Sequence, residues 1–88
     1  MYLSGEFTFA PMDGSAPVSY SNAVAVITES PSIFVNGLYK SVVAFYLDEA
    51  KSTVIFSTDL FSEDGTEEAA LAAAKAQYAR NMVLIRKT

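Results

Sequence analysis

The side chains that could do chemistry in this chain are carboxylates, hydroxyls and lysines, because the sequence contains no cysteine and no histidine. Without histidine the chain lacks the usual general base and the commonest metal ligand. A Ser-His-acid triad is therefore impossible, and the absence of cysteine excludes disulfides and thiolate chemistry. A Ser–Lys dyad stays formally open, but no spacing supports one. The glycine-rich phosphate-binding patterns G-x-x-x-x-G-K-[ST] and G-x-G-x-x-G are also absent from the sequence.

Five acidic residues cluster shortly before and inside a predicted helix: Asp59, Glu63, Asp64, Glu67 and Glu68. Carboxylate oxygens can hold a divalent cation, and an EF-hand loop needs glycine at its sixth position. With Gly65 in that place, Leu60 and Leu71 fall at positions 1 and 12, where ligands are required. We therefore interpret the cluster as the solvated start of a helix.

A second acidic pair, Asp48 and Glu49, lies in a short polar turn between two predicted strands. General acid–base catalysis needs carboxyl groups whose pKa is tuned by burial or by neighbouring charge. Nothing apolar surrounds this pair in the sequence. We accordingly predict no catalytic residue, no cofactor and no metal, and expect that the protein is not an enzyme.

Aromatic side chains remain as candidates for binding. Tyrosine combines a large apolar body with a polar tip and is enriched at interfaces. Tyr20, Tyr39 and Tyr46 lie on predicted strands, where some of them would share a sheet face with Phe34 or Phe45. These residues form either a binding face or a mixture of core and boundary aromatics, and the pattern leaves both interpretations open.

The composition indicates one domain spanning residues 1–88, with 51% hydrophobic and 18% charged residues and a net charge of −4. A negative balance without a basic stripe disfavours nucleic acid and an anionic membrane surface as partners. No apolar stretch approaches the length of a membrane span. The N-terminus lacks the basic start of a signal peptide, so we expect a cytoplasmic location, with the virion as a further option.

The first two strands are predicted from residues 2–10 and 18–28. Residues 2–10 alternate between apolar and polar side chains, which predicts an edge strand with Glu6 guarding the edge. Near the end of residues 18–28, successive side chains are apolar on both faces of the strand, which predicts a central strand. Ser21 or Asn22 marks a bulge or bend in it.

Residues 29–32 are predicted to break the chain before the short apolar segment 33–35. Asn36-Gly37 then favours a type I′ turn, although the short first arm argues against a full hairpin. Residues 40–47 and 53–57 are predicted to form a hairpin around the polar turn 48–52.

A helix is predicted over about residues 66–80, with Thr66 or Asp64 as its N-cap and Asn81 as a left-handed stop. One stripe carries the large apolar side chains and should meet the sheet: Leu71, Ala74, Tyr78 and Met82. Ala72 and Ala76 lie on the opposite, alanine-rich face. That face is either a close contact with a neighbour or an ordinary solvated face.

Residues 82–86 predict a final strand, which we expect to run parallel to the strand before the helix through a right-handed crossover. The order of elements predicts an α+β fold, a mostly antiparallel sheet of four to six strands with the one helix packed on one face.

Residues 42–47 form an unbroken apolar run, which asks for cover on both faces of the sheet. The helix covers one face only. We therefore predict a non-enzymatic interaction or assembly module that forms a homo-oligomer or binds a protein partner through a sheet face. From the composition alone, a phage structural subunit or a phage-encoded inhibitor is the setting that we predict for such a module. The alternative is a small-ligand-binding protein whose aromatic-lined sheet face closes over an apolar or planar molecule.

The interface candidates are Tyr20, Phe34, Tyr39, Phe45, Tyr46, Ala72 and Ala76.

Overall fold

A computed structural model describes residues 1–86 and shows one antiparallel sheet with a helix packed against it. The elements are β1 (Tyr2–Phe9), β2 (Val18–Val35), β3 (Leu38–Tyr46), β4 (Val54–Ser62), α1 (Glu67–Tyr78) and β5 (Met82–Ile85). The strands lie in the order β4-β3-β2-β1-β5. The predicted α+β fold with a mostly antiparallel sheet is confirmed, and so is the β3–β4 hairpin.

One prediction about neighbouring strands is wrong, and a second holds for only part of its strand. β5 pairs antiparallel with β1, with Leu3 opposite Leu84, and does not run parallel to the strand before the helix. β1 consequently lies between β2 and β5. β5 pairs only with residues 2–5, so in the described chain the half of β1 that carries the exposed Glu6 has a strand on one side only, and the predicted edge is correct for that half. The alternation of residues 2–10 reports one covered and one uncovered face, and carries no information about which strands lie alongside.

β2 continues through residues 29–32, where a break was expected. Between Ile27 and Val35 its register against β3 shifts three times, and at each shift β2 has one residue more than β3. A bulge leaves the extra residue unpaired, so Pro31 is accommodated without ending the strand. A further shift against β1 falls at residues 21–22, where a bulge or bend was predicted.

Asn36 and Gly37 join β2 and β3 with φ angles of 51° and 79°. Positive φ at both central residues is what a type I′ turn requires. The two strands it connects pair along most of β3, so the turn closes a full hairpin, contrary to the expectation from its short first arm.

α1 begins after Thr66, whose Oγ1 accepts a hydrogen bond of 3.1 Å from the Ala69 backbone N–H. Thr66 is therefore the N-cap rather than Asp64. The predicted stop at Asn81 is wrong, because Asn81 has no positive φ and the C-cap is Ala79. Arg80 Nε donates a hydrogen bond of 3.3 Å to the Ala76 carbonyl. This side chain satisfies a carbonyl of the last helical turn, so no residue in the left-handed conformation is needed there.

The core lies between α1 and one face of the sheet. Phe45 and Phe7 stack there with ring centroids 4.3 Å apart. The helix and the sheet both contribute alanines, which let the two layers lie close together. The buried members are Leu3, Phe7, Ala23, Ala25, Val43, Phe45, Leu60, Ala70, Leu71, Ala74, Ala79 and Met82.

Candidate functional site

The sheet face that points away from α1, called the open face below, carries apolar side chains on all five strands. Residues directly opposite each other on neighbouring strands share a face, and β-strand side chains alternate between faces. Because Val43 and Phe45 point to the helix, Val42, Ala44 and Tyr46 point to the open face. Cross-strand pairing extends the set to Tyr2, Val24, Val26, Val42, Ala44, Tyr46, Val54, Phe61, Val83 and Ile85.

The side chains at the centre of the open face are buried within the single chain, whereas those on its two flanks, the edge strands β4 and β5, are exposed to solvent. Val24 and Ala44 are only 1% and 3% exposed. A hollow beside Val24 is lined by Tyr2 and by Glu49 and Lys51 of the β3–β4 turn. On the two edge strands, by contrast, Val54 is 53%, Phe61 41% and Val83 60% exposed. The described part of the chain, residues 1–86, places no second sheet or helix over this face. Its apolar flanks are therefore left to solvent or to a partner.

The open face also carries polar side chains, which on β3 and β4 are Lys40, Ser57 and Asp59. Lys40 Nζ lies 3.7 Å from Asp59 Oδ2, and both side chains are about half exposed. An exposed pair of this kind contributes little to stability. The Lys40 ammonium also lies 6.0 Å from the Phe34 ring centroid, and the rings of Phe34 and Phe61 are 5.3 Å apart. These residues form a mixed aromatic and charged group at one end of the face.

Two of the predicted interface candidates lie on or beside the open face. Tyr46 is half-buried there, opposite Val24 and Val54. Phe34 is exposed and contacts Phe61. Ala72 and Ala76 are exposed on the outer side of α1, which lies on the other side of the sheet.

The remaining three candidates point toward the helix side. Phe45 is 0% exposed and lies in the core, so it is not available to a partner and its place among the interface candidates is corrected. Tyr20 lies opposite Phe7 and packs against the core. Tyr39 lies near Gly65, where a Cβ would come within 2.8 Å of its ring. The sequence alone could not tell which parity of each strand faces the helix.

The exposed valines and Phe61 were not among the predicted site residues. β4 was expected to end at residue 57, but it continues to Ser62 and carries Phe61 to the open face. The apolar pair Leu60 and Phe61, a few residues beyond the expected end, is the signal that could have extended the strand. Val54 and Val83 lie on predicted strands, but the sequence does not show which of the alternating side chains of those strands face away from the helix.

A separate cavity of about 330 Å³ opens on the helix side of the sheet. Phe9 and Phe56 have ring centroids 5.3 Å apart, and Tyr78 meets Phe56 edge-on at 5.6 Å. The cavity is thus walled mainly by aromatic rings. Its lining residues are Phe7, Thr8, Phe9, Ala10, Met12, Phe56, Gln77 and Tyr78.

Several carboxylates are engaged in holding loops and elements together. A hydrogen bond from Arg86 lowers the pKa of Glu68 and ties the start of α1 to the end of β5. Hydrogen bonds from the side chain and backbone of Ser15 lower the pKa of Asp13. Asp48 Oδ1 accepts the Ala50 N–H at 3.0 Å in the β3–β4 turn.

Within residues 1–86, no three acidic side chains come together in a way that could hold a metal ion. The described residues also include no helix with the length and apolar character needed to span a bilayer. Comparisons of the chain with protein-family models, with curated proteins and with solved structures found no match. The open face and the aromatic-walled cavity are therefore the two features from which a function can be inferred.

Proposed function

We propose that this protein is a non-enzymatic assembly module that self-associates through its open face. The observation that supports the proposal is the exposed apolar flank on each edge strand, around a centre that is already shielded from water. Exposed apolar side chains gathered on one face are typical of interaction sites. Burying it against a second copy removes it from water, and that burial is the dominant favourable term in protein association.

The size of the open face fits a contact between two copies. Five strands about 4.8 Å apart, most of them about nine residues long at about 3.4 Å per residue, span on the order of 600 to 700 Å². A standard protein interface buries about 800 Å² on each partner. A face-to-face pair would therefore use most of the sheet.

The charges of the face are compatible with a second copy as the partner. Lys40 and Asp59 lie side by side, so each charge in one copy can meet the opposite charge of the other. Complementary charges fix the orientation of a contact more than they strengthen it. The apolar residues on both sides of this pair would supply the affinity.

Sedimentation equilibrium over a wide concentration range tests the proposal. We expect a mass of at least twice the 9.5 kDa of one chain, falling toward one chain on dilution. The double variant Val26→Thr, Val42→Thr keeps the shape and β-propensity of the open face but adds two hydroxyls. We expect its dissociation constant to be at least about ten times that of the wild type.

The matched control is Ala72→Ser with Ala76→Ser, which adds two hydroxyls on the outer side of α1. We expect its mass profile to follow that of the wild type. A strict monomer at every concentration would contradict the proposal. Weaker association in the helix variant alone would assign the contact to α1 instead of the open face.

The aromatic-walled cavity supports a second candidate, the binding of a small planar apolar molecule. Its volume is at the lower end of the range for ligand sites, which are apolar with a few polar groups. Gln77 and the Tyr78 hydroxyl supply such groups. The site is on the helix side of the sheet, so it can be tested independently of the open face.

Thermal unfolding against a panel of planar aromatic compounds tests this candidate. A ligand that binds only the folded chain raises the melting temperature. The variant Phe9→Ala should abolish the shift, and Phe61→Ala, an exposed aromatic outside the cavity, should retain it. Equal shifts in both variants, or none in the wild type, would exclude the cavity as the site.

A further inference from the structure

β4 is the longer of the two edge strands, and no strand among residues 1–86 pairs with its outer side. It has nine residues, whereas β5 at the other edge has four. An edge strand presents unpaired backbone groups, and proteins usually protect it with proline, lysine, a β-bulge or a short strand length. β4 contains no proline and no lysine, and its bulge lies at Ile55, outside the segment from Phe56 to Leu60. Its one charged residue, Asp59, lies beside Lys40 on β3.

We infer that β4 pairs antiparallel with β4 of a second copy, about a two-fold axis at Thr58, to give a continuous ten-stranded sheet. This inference rests on the proposed self-association and names the second contact that such an assembly would use. Backbone hydrogen bonds between the two edges would satisfy groups that face solvent in a single chain.

Side-chain complementarity selects Thr58 as the centre of the pairing. It places Thr58 opposite Thr58, Ser57 opposite Asp59, and Phe56 opposite Leu60. Phe56 and Leu60 both point to the helix side, where they would form an apolar cross-strand pair. Two threonines directly opposite each other are also a favourable pair.

The neighbouring registers are worse. A centre at Asp59 sets the two Asp59 carboxylates directly opposite each other, and like charges in that position are destabilising. A centre at Ser57 sets Asp59 opposite Ile55, the extra residue of the β4 bulge, so the ladder would be interrupted two residues from its centre. Thr58 is the centre that avoids both penalties.

The pairing also adds to the open face. Strands related by a two-fold axis perpendicular to an antiparallel sheet keep their faces, so both helices lie on one side and both open faces on the other. Val54 and Phe61, the exposed apolar residues of β4, would then lie in the middle of a joined face rather than at its border. A twofold larger apolar face follows.

Single-cysteine variants test the register, because the native chain has no cysteine. Residues directly opposite on antiparallel strands have Cα atoms about 4.5 to 5.5 Å apart, within reach of a disulfide. Thr58→Cys should therefore form a covalent dimer under mild oxidation. Ser57→Cys alone should not, since a two-residue offset along the strand and the spacing between strands put its two Cα atoms about 8 Å apart, beyond the roughly 7 Å limit.

Mixing Ser57→Cys with Asp59→Cys provides a second measurement with exposed positions that leave the core untouched. We expect the mixture to form a crosslinked heterodimer several times more abundant than either homodimer. Circular dichroism checks that each variant keeps the native fold before oxidation.

The outcomes separate this inference from the proposed function. If sedimentation shows the wild-type oligomer but neither Thr58→Cys nor the mixture crosslinks, the β4 pairing is wrong and self-association stands. If Ser57→Cys crosslinks to itself as readily as Thr58→Cys, the register is wrong. If every variant and the wild type are monomers, both the pairing and the proposed function are wrong.

Discussion

Replacing Phe45 by Asp is expected to unfold the protein. The Phe45 ring is fully buried, stacks on Phe7 and approaches Phe56 and Tyr78 at centroid distances of 6.0 and 6.3 Å. Removing a buried phenylalanine costs about 3 to 5 kcal/mol, and an unpaired carboxylate in the same place adds a desolvation penalty. Small domains have stabilities of about 5 to 15 kcal/mol, and a chain of this length is expected near the lower end.

Far-UV circular dichroism and urea denaturation measure the effect, with Phe45→Leu as the matched control. Leucine keeps an apolar side chain in the core, so we expect it to fold with a reduced urea midpoint. A Phe45→Asp variant that unfolds cooperatively at the wild-type midpoint would show that the side chain is not in the core.

Replacing Tyr46 by Asp, one residue further, is expected to leave the fold intact and to abolish self-association. Tyr46 points to the open face, where it is half-buried between Val24 and Val54. Tyrosines at the centre of an interface often contribute about 2 kcal/mol or more, which corresponds to about a thirtyfold change in dissociation constant. An added carboxylate on each copy would enlarge that loss by repulsion and desolvation.

Sedimentation equilibrium measures the loss, and urea denaturation shows whether the fold survives. Tyr46→Phe is the control, because it keeps the ring and removes only the hydroxyl, and we expect both its mass and its stability to resemble the wild type. A Tyr46→Asp variant that keeps the oligomer would contradict the open-face contact. One that unfolds as Phe45→Asp does would contradict the assignment of the two faces.

Local signals account for the parts of the fold that were predicted correctly from the sequence. The helix start could be recognised because a threonine hydroxyl three residues before an alanine N–H caps the first turn within the segment itself. The β3–β4 hairpin followed from two apolar runs around a five-residue polar turn. The antiparallel α+β architecture followed from the order of these elements.

The pairing of β1 with β5 could not be predicted in the same way. The two strands are far apart in the sequence, and the contact between them depends on where α1 returns the chain. Gly5 has a φ of 138°, and a Cβ there would lie 3.3 Å from the Asn81 carbonyl oxygen. The glycine therefore permits the close approach of β5, but a glycine inside a strand is equally typical of a bulge or a tight bend.

The candidate site was only partly predictable, as Phe45 and Tyr46 illustrate. Both belong to one apolar run, and the period of a strand shows that they lie on opposite faces without showing which face meets the helix. That choice is made by the packing of α1 against β1 to β4. The end of β4 could not be predicted either, since the point where a strand ends depends on its partner strand more than on its own residues.

The extra residues of β2 have a consequence for folding fidelity. A smooth strand could slide along its partner by a residue or two and still form a ladder, which would expose apolar side chains and invite misassembled aggregates. β2 is fitted to β3 by three irregularities at fixed places. Sliding would bring all three out of step at once, so the mispaired arrangements lose hydrogen bonds that the native one keeps. The irregular strand therefore favours a single register of β2 against β3.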